Sequence, residues 1–233
     1  MEQVYSSLTQ RALDMHRDLD GTPNQRRIII AFSGPPGSGK STIAAQVMQR
    51  INTIAKSSIA TCLPMDGFHY TRQSLDSLPN HIEAHACRGA AWTFDADKVV
   101  NLIKTLSASR ISAEPVTIFA PSFDHSLKDP IADAIRIEHE IEIVIVEGNW
   151  LLLDREPWRQ IPGYVDDTWF VDVDSALAAQ RIARRHIAAG IENTWEAAMA
   201  RVEANDLPNG IDVRKYLLEP NVRVKSVEIK GES

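Results

Sequence analysis

The segment 34–41 reads G-P-P-G-S-G-K-S and directly follows the apolar run 28–32. It is a complete phosphate-binding loop of the form G-x-x-x-x-G-K-[ST], and the apolar run predicts the strand that precedes such a loop. A helix is expected to begin near Lys40. The loop therefore predicts a strand–loop–helix unit that binds a nucleoside triphosphate together with Mg²⁺.

The residue types of this loop explain that preference. Glycines allow the backbone to turn tightly with its N–H groups pointing inward, and the helix adds the positive end of its dipole. We expect Lys40 to reach the β- and γ-phosphates and the Ser41 hydroxyl to ligate Mg²⁺. The predicted nucleotide-binding residues of the loop are Gly34, Pro35, Pro36, Gly37, Ser38, Gly39, Lys40, Ser41 and Thr42. A glycine turn that only caps a helix would not require the complete pattern.

Apolar strand patterns alternate with helical patterns along the chain. Strands are predicted at 28–33, 58–63, 116–119, 141–146, 168–173 and 222–229, and helices at 4–19, 40–54, 97–106, 176–189 and 194–204. The alternation predicts a three-layer α/β fold of the P-loop NTPase kind, with a parallel five-stranded core sheet and helices on both faces. We treat 1–233 as one such domain, with an N-terminal helix in 1–24 and a small helical lid at about 175–210.

Charge and composition narrow the class of protein. The chain of 233 residues has a formal net charge of −6, which argues against a nucleic-acid partner. No apolar run approaches the roughly 20 residues of a membrane span, and the first residues lack the apolar core of a secretion signal. Cys62 and Cys87 are too few for a disulfide framework, so a reducing compartment is expected. We expect a cytoplasmic protein, or a nuclear one in a eukaryote, without membrane partners.

Two acidic residues follow predicted strands, at the edge of the sheet where ligands bind. Asp66, after the strand 58–63, can accept a proton from a substrate hydroxyl or hold Mg²⁺ through water, although an Asp-Gly pair is also typical of a surface turn. Glu147 follows the strand 141–146 and is the natural second acidic group for Mg²⁺, the alternative being a solvated strand end.

Three arginines share the helix predicted at 176–189. Arg181 and Arg185 lie on one face, and Arg184 lies beside Arg181 at three-residue spacing. Arginines on a lid can clamp the transferred phosphoryl group. An exposed basic helix face would show the same arginine spacing, so the spacing alone does not distinguish a phosphate-binding lid from a solvated surface. Asp174 and Ser175 are interpreted as N-caps of this helix.

The segment 121–125 follows another predicted strand and reads P-S-F-D-H. Phe123 can stack on a flat substrate, and Asp124 or His125 can form hydrogen bonds with it, although the loop can also pack on itself. The histidines are dispersed without zinc-ligand spacing, so no metal cage is expected. The tryptophans are expected to be packing residues, at positions Trp92, Trp150, Trp158, Trp169 and Trp195.

With these motifs in order, the chain resembles the phosphoribulokinase, uridine kinase and type I pantothenate kinase superfamily over residues 28–207. It is especially similar to a group of uncharacterised uridine-kinase-like proteins of bacteria and fungi. The motifs shared with that group are D-G-F-H at 66–69, R-G-x-x-x-T-F-D at 88–95, E-G-N-[WY]-L-L-L-D at 147–154 and N-D-L-P-N at 205–209.

The resemblance implies an ATP-dependent kinase that phosphorylates a hydroxyl group of a small molecule. It places Asp66 at the catalytic base and Mg²⁺-associated acid, and Glu147 at the other acid near the metal. It matches Arg181 and Arg184 to lid arginines that contact ATP phosphates. With Lys40, these two arginines and Asp66 form the predicted catalytic set. The predicted substrate side comprises Asp66, His69, Arg88, Phe123, Asp124 and His125.

Two departures from the uridine kinase pattern leave the acceptor open. Lys128 stands where a uridine kinase has a base-contacting histidine, and the chain after His186 reads I-A-A-G rather than being rich in arginine. A nucleoside is the leading acceptor by resemblance, with pantothenate or a sugar as the alternative. The alternative from a different functional class is a nucleotide-switch ATPase that has no small-molecule acceptor. Kinases of this superfamily often form homo-oligomers, so an oligomer is compatible with the resemblance.

Overall fold

The computed structural model describes residues 1–19, 27–111, 115–124 and 126–228. Its centre is a five-stranded parallel sheet in the order β2-β5-β1-β6-β7. These strands are β1 (Ile28–Ser33), β2 (Ala60–Pro64), β5 (Ile143–Gly148), β6 (Asp167–Val173) and β7 (Val222–Ser226). The predicted parallel core sheet is therefore confirmed, with β1 bounded as predicted and the ends of the other strands shifted by at most three residues.

A separate antiparallel hairpin pairs β3 (Ile118–Asp124) with β4 (Asp129–Ile137). The first of these strands extends past residue 119, where the apolar pattern predicts its end, and the second is not predicted by the pattern. Four consecutive residues of β4, from Ile131 to Ala134, are exposed. A strand that buries so little of its length lacks the apolar pattern by which a strand is recognised.

Eight α-helices surround these strands in the described residues. They are α1 (Glu2–Asp18), α2 (Lys40–Ala55), α3 (Arg72–Asp76), α4 (His81–Ala86), α5 (Ala96–Ser109), α6 (Ser175–Ala188), α7 (Trp195–Arg201) and α8 (Leu207–Lys215). A π-helical turn, Val202–Asp206, joins α7 to α8, where a continuous helix to residue 204 was predicted. The short helices α3 and α4, and α8, were not predicted.

Helices cover both faces of the sheet, which explains why every residue of β1 is buried. On one face, Leu8 of α1 and Val47 of α2 pack against Ile28, Ile30 and Phe32. On the other face, a second core cluster joins Ile29 and Ala31 to α5, to the hairpin and to the segment Trp150–Leu153. The sheet is therefore the middle of three layers, and its carboxyl ends remain open for a site.

The structure also tests smaller expectations about the tryptophans, the cysteines and membrane-spanning helices. Trp150, Trp158 and Trp169 are buried as predicted, but Trp92 and Trp195 are 44% and 40% exposed. Cys62 and Cys87 are both free thiols. In the part of the chain that the structure describes, no helix combines the length and the apolar character needed to cross a membrane. Residues 20–24 of the segment assigned to the N-terminal helix lie outside the described residues, as does residue 229 of the strand predicted at 222–229.

Candidate active site

The phosphate loop connects β1 to α2 and takes its shape from two glycines. Gly37 and Gly39 have φ values of 74° and 81°, in the left-handed region that favours glycine. Gly39 also precedes the first residue of α2, so the N-terminal N–H groups of that helix open onto the loop. A Cβ atom at Gly37 would lie 2.7 Å from the carbonyl oxygen of Ala178. The loop therefore packs directly against α6.

A buried hydrogen bond links the start of α2 to the end of β5. The Ser41 hydroxyl donates to Glu147 Oε1 at 2.9 Å, and Glu147 is only 7% exposed. Burial raises the pKa of the Glu147 carboxyl; the positive charge of Lys40 opposes that rise, and the negative charge of Asp66 adds to it. The two predicted acids and the loop lysine therefore act on one another electrostatically.

The strand register explains why the Asp66 and Glu147 carboxyl groups lie near enough to interact electrostatically. Glu147 pairs with Phe32 of β1 on one side and with Pro64 of β2 on the other, so three strands end at the same level. Asp66 follows β2 by two residues, in the 3₁₀ turn Met65–Phe68. Parallel strands that end together place the residues just beyond them at one edge of the sheet.

Gly67, inside that turn, is needed for a close backbone contact. A Cβ atom at this position would overlap the carbonyl oxygen of Pro121 in β3. An Asp-Gly pair is typical of a turn, but Gly67 is not among the glycines with positive φ. The missing side chain instead lets the hairpin lie directly on the turn that carries Asp66.

A cavity of about 230 Å³ opens in front of the phosphate loop. Its lining residues are Gly37, Gly39, Lys40, Ser41, Thr42, Arg181, Ile182 and Arg185. Arg181 is fixed in this wall, since it donates to Gly37 O at 3.3 Å, to Ser226 Oγ at 2.8 Å and to Val227 O at 2.9 Å. One guanidinium thereby joins the phosphate loop to the end of β7.

The three arginines of α6 have different surroundings. Arg181 and Arg185 line the cavity, in agreement with their shared helix face, whereas Arg184 does not; Arg184 and Arg185 are both exposed. The phosphate contact predicted for Arg184 stays a prediction. Asp174 caps α6 as predicted, because its carboxylate accepts from the N–H groups of Ala176 and Leu177.

On the other side of Asp66, aromatic rings gather around His69. The His69 ring stacks on Phe94 with a centroid distance of 3.9 Å and lies 5.2 Å from the ring of Phe123. The guanidinium carbon of Arg88 lies 5.6 Å from the Phe123 ring centroid. Three of the residues predicted for the substrate side, His69, Arg88 and Phe123, are therefore neighbours, and their roles remain predictions.

The Arg88 guanidinium already has protein partners. It donates to the carbonyl oxygens of Lys128 and Tyr70 and to Asp129 Oδ1, the last at 2.9 Å. These contacts tie the hairpin to the segment that follows the D-G-F-H motif. Asp124 is also engaged, because its Oδ1 accepts from the N–H groups of Ser126 and Leu127. His125 lies outside the described residues.

The N-D-L-P-N motif at 205–209 has no role predicted from the sequence. Asn205 donates its side-chain N–H to the carbonyl oxygen of Arg88 at 3.1 Å, and Asn209 donates to Asn205 Oδ1 at 3.4 Å. Asp206 is buried beside His186 of α6, with 3.6 Å between His186 Nε2 and Asp206 Oδ2. The motif thus contacts both Arg88 on the predicted substrate side and His186 of α6. In the sequence, the only sign of this role is that the motif follows the other shared motifs in a fixed order.

Comparison with known proteins fits this geometry. The sequence pattern of the "Phosphoribulokinase / Uridine kinase family" matches residues 29–207. A Schizosaccharomyces pombe protein named "Putative uridine kinase" is 36% identical over 226 residues, covering 97% of this chain and 92% of that protein. An Aspergillus versicolor protein named "ATP-dependent kinase-like protein notR'" is 39% identical over 154 residues, covering 66% and 89%.

Two solved structures share the fold. A "putative fructose transport system kinase" from Silicibacter sp. TM1040 has a TM-score of 0.78 and 28% identity, covering 94% of this chain and 98% of its own. YFH7 from Saccharomyces cerevisiae has a TM-score of 0.82 with 24% identity, covering 94% and 99%, which shows the fold alone. The matched family pattern, together with the phosphate loop between β1 and α2, shows that this chain is a P-loop kinase of the phosphoribulokinase/uridine kinase family.

Proposed function

We propose that this protein transfers the γ-phosphoryl group of ATP to a hydroxyl group of a small molecule, with a nucleoside as the leading acceptor class. The supporting observation is the contact between Ser41 and Glu147, since Lys40 and Asp66 act on the same buried carboxyl group. A lysine, a hydroxyl and two acids around one phosphate loop are the groups that phosphoryl transfer requires.

In the proposed reaction, the acceptor oxygen forms a bond to the γ-phosphorus while the bond between that phosphorus and the β,γ-bridging oxygen breaks, which releases ADP. Asp66 orients the attacking hydroxyl and takes its proton. Lys40 and Arg181 stabilise the negative charge on the phosphoryl oxygens. The predicted lid excludes water, so that the γ-phosphoryl group is transferred to the acceptor hydroxyl rather than to water. Arg184 and the remaining loop residues stay in the proposed ATP site.

The donor set at the loop suits Mg²⁺. Ser41, Glu147 and Asp66 offer oxygen atoms, which are the ligands that Mg²⁺ prefers, and Mg²⁺ is usually held by one or two carboxylates with water and phosphates. The described residues contain no group of three or more His, Cys, Asp or Glu side chains that could form a protein cage. When bound, Mg²⁺ would neutralise charge on the β- and γ-phosphates.

Two observations support a nucleoside acceptor. The partly exposed rings of His69 and Phe123 offer flat surfaces on which a base can stack, and the buried Phe94 ring supports His69 from behind. The Schizosaccharomyces pombe relative is named for uridine. A sugar remains the second candidate, because the Silicibacter protein is named for fructose. Pantothenate is the third candidate, because the chain also resembles the type I pantothenate kinase branch of the superfamily. A cytoplasmic location, a single domain and a homo-oligomer stay predictions.

An acceptor screen tests the proposal. ADP release from MgATP is measured with uridine, cytidine, adenosine, pantothenate and fructose, each beside a sample without acceptor. The expected result is slow ADP release alone and at least about a tenfold increase with one acceptor, whose phosphorylated product is identified by mass spectrometry. ADP release that no hydroxyl compound accelerates, and that a protein partner does accelerate, would instead support a nucleotide-switch ATPase.

A further inference from the structure

The side chain of Arg88 is enclosed between two other segments of the chain, and only 15% of it is exposed. Its Nη1 atom donates to the carbonyl oxygen of Lys128. Its Nη2 atom donates to the carbonyl oxygen of Tyr70 at 2.8 Å and to Asp129 Oδ1 at 2.9 Å. A guanidinium has about five N–H groups to donate, and these contacts use most of the terminal ones. The Nε atom is buried and has no hydrogen-bond partner within the described residues, so little of the guanidinium is left for an acceptor molecule.

These contacts hold the turn between β3 and β4. Lys128, inside that turn, has a φ of 57°, in the left-handed region that a residue with a side chain adopts only where its surroundings hold it. Asp129 Oδ1 also accepts from the backbone N–H of Arg72, the first residue of α3, at 2.9 Å. One carboxylate oxygen thus joins the hairpin to α3 and to Arg88, and such charge-assisted hydrogen bonds are stronger than neutral ones. The turn is therefore fixed by groups that lie outside the hairpin.

The same guanidinium also contacts the hairpin ring that is proposed to stack on the acceptor. The Arg88 Cζ atom lies 5.6 Å from the centroid of the Phe123 ring, within the range of a cation–π contact. Phe123 pairs with Pro130 in the hairpin, and its ring lies 5.2 Å from the His69 ring, tilted by 53°. A displacement of the turn would therefore move Phe123 relative to His69, and with it the surface on which a base can stack.

The backbone around Arg88 is tied to the core of the protein. Asn205 donates its side-chain N–H to the Arg88 carbonyl oxygen at 3.1 Å. Trp150, which is 1% exposed, donates its indole N–H to the carbonyl oxygen of Gly89 at 3.0 Å, and the Gly89 N–H donates to Thr93 Oγ1 at 2.9 Å. Arg88 thus lies on a fixed segment, whereas the hairpin that it contacts lies outside the core sheet. The fixed segment therefore restrains the hairpin rather than the reverse.

We propose that Arg88 is a positioning residue for the acceptor, which holds the β3–β4 turn and the Phe123 ring in place beside His69 and does not bind the acceptor itself. The role predicted for Arg88 on the substrate side is then an indirect one. Loss of Arg88 weakens acceptor binding because the Phe123 ring is displaced, while the nucleotide side stays intact. The inference rests on the proposed function as far as the acceptor is concerned, but the restraint on the hairpin can be measured without an acceptor.

Hydrogen exchange of the ligand-free protein tests the restraint. The amide N–H groups of 118–124 and 129–137 should exchange about tenfold or more faster in Arg88→Met than in wild type, because the turn loses its hydrogen bonds to the guanidinium. Arg136→Met is the matched control, since Arg136 lies on β4 with 64% of its side chain exposed. Arg88→Lys replaces Arg88→Met if the latter does not fold, because one ammonium group cannot reproduce the planar fork of a guanidinium. Equal exchange in the Arg88 variant and the control would overturn the proposal.

A double-mutant cycle with Phe123 separates positioning from direct binding. Steady-state kinetics are measured with the acceptor that the screen identifies, uridine being the first compound tested. Arg88→Met should raise the acceptor KM by about fivefold or more in the wild-type background, and by less than about twofold when Phe123 is already Ala. The kcat value, and the affinity for AMP-PNP with Mg²⁺ measured by titration calorimetry, should each change by less than about twofold. An equal rise in KM in both backgrounds would mean that Arg88 contacts the acceptor directly, which would overturn the proposal.

Asp129→Ala distinguishes the two roles in a second way. It removes the carboxylate that Arg88 holds and leaves the Arg88 side chain in the protein. If Arg88 positions the hairpin, this variant should speed hydrogen exchange in β3 and β4 and raise the acceptor KM by about threefold or more. If Arg88 were itself an acceptor ligand, release from Asp129 would leave the acceptor KM unchanged or lower it. An unchanged or lowered KM would therefore contradict the positioning role.

These outcomes are separable from the acceptor screen. If wild type phosphorylates no acceptor, the proposed function fails, and the hydrogen-exchange comparison still decides whether Arg88 holds the hairpin. If an acceptor is found but the effects of Arg88→Met and Phe123→Ala on its KM are additive, the proposed function stands and the positioning role of Arg88 fails.

Discussion

The phosphate loop and the β3–β4 hairpin belong to the two sides of the candidate site, and they are held in place differently. The loop follows a fully buried strand and is fixed by backbone geometry and by Arg181. The hairpin lies outside the core sheet, and much of β4 is exposed. It meets the site through the contact with Gly67 and the Arg88 hydrogen bonds.

This difference separates the nucleotide side of the site, where substitutions would disturb the core, from the hairpin side, where side chains can vary. Exposed side chains of the hairpin can change at little cost to the core sheet, whereas changes around β1 or the phosphate loop would disturb the middle layer. We therefore expect variants on the nucleotide side to abolish the reaction, and variants on the hairpin side to change acceptor use while nucleotide binding persists.

The largest effect is expected at the point where the two sides meet. Asp66→Asn should lower kcat by about 10³-fold because it removes the base that takes the acceptor proton. Binding of AMP-PNP, measured by calorimetry, should persist. Asp133→Asn, the same substitution at an exposed position of β4, serves as the control. Turnover of Asp66→Asn at the wild-type rate would remove Asp66 from the mechanism.

Glu147→Gln tests the nucleotide side, with opposite expectations for activity and stability. Transfer should fall by about 10²-fold, since a ligand proposed for Mg²⁺ is lost. Without nucleotide, however, Tm at pH 7 should rise by about 2 °C or more, because a buried charge is removed.

The pH dependence of that gain follows from the raised pKa of Glu147. Between the unfolded value of 4.5 and the raised folded value, the native state binds more protons than the unfolded state, so Glu147 lowers stability as pH increases. The difference in Tm between Glu147→Gln and wild type should therefore grow from pH 4.5 upward. A difference that shrinks over this range would mean that Lys40 more than compensates the charge.

Phe123 tests the hairpin side. Phe123→Ala should raise the acceptor KM by about tenfold through loss of a stacking surface, with AMP-PNP affinity unchanged. Phe123→Tyr keeps the ring and should restore acceptor binding. Steady-state kinetics with the acceptor found in the screen measure the KM of both variants. If Phe123→Ala weakened nucleotide binding as much as acceptor binding, the hairpin side could not be regarded as independent of the nucleotide side.

Gly67→Ala should have the smallest effect, and it should be confined to the hairpin. The added methyl group would overlap the Pro121 carbonyl oxygen, which costs about 1–3 kcal/mol unless the hairpin shifts. Chemical denaturation measures the loss of stability, and hydrogen exchange locates it in 118–137. Gly163→Ala is the matched control, because nothing lies within 4 Å of a Cβ atom there. Equal stability of the two variants would show that the hairpin moves freely.

The contrast between the two sides also explains what the sequence could predict. The phosphate loop, Asp66 and Glu147 each follow a strand whose apolar run is visible in the chain, so the parallel sheet and the meeting of these groups could be expected. The hairpin partner β4 could not, because it is exposed and its pairing depends on contacts across the fold.

The lid shows a further limit of sequence reasoning. Helical spacing placed Arg181 and Arg185 on one face, yet it could not tell which neighbour of Arg181 lines the cavity, since that depends on how α6 packs on the phosphate loop. The π-helical turn was predicted as ordinary helix, because one extra residue in a turn leaves the apolar pattern almost unchanged.

The Arg181 contacts have a practical consequence for anyone who labels or fuses this protein. Because the same guanidinium binds Gly37, Ser226 at the end of β7 and Val227 just beyond it, a tag attached close behind that strand would disturb the phosphate loop. Fusion partners are better joined ahead of α1, or separated from Val227 by a long flexible spacer, if nucleotide affinity is to be measured undisturbed.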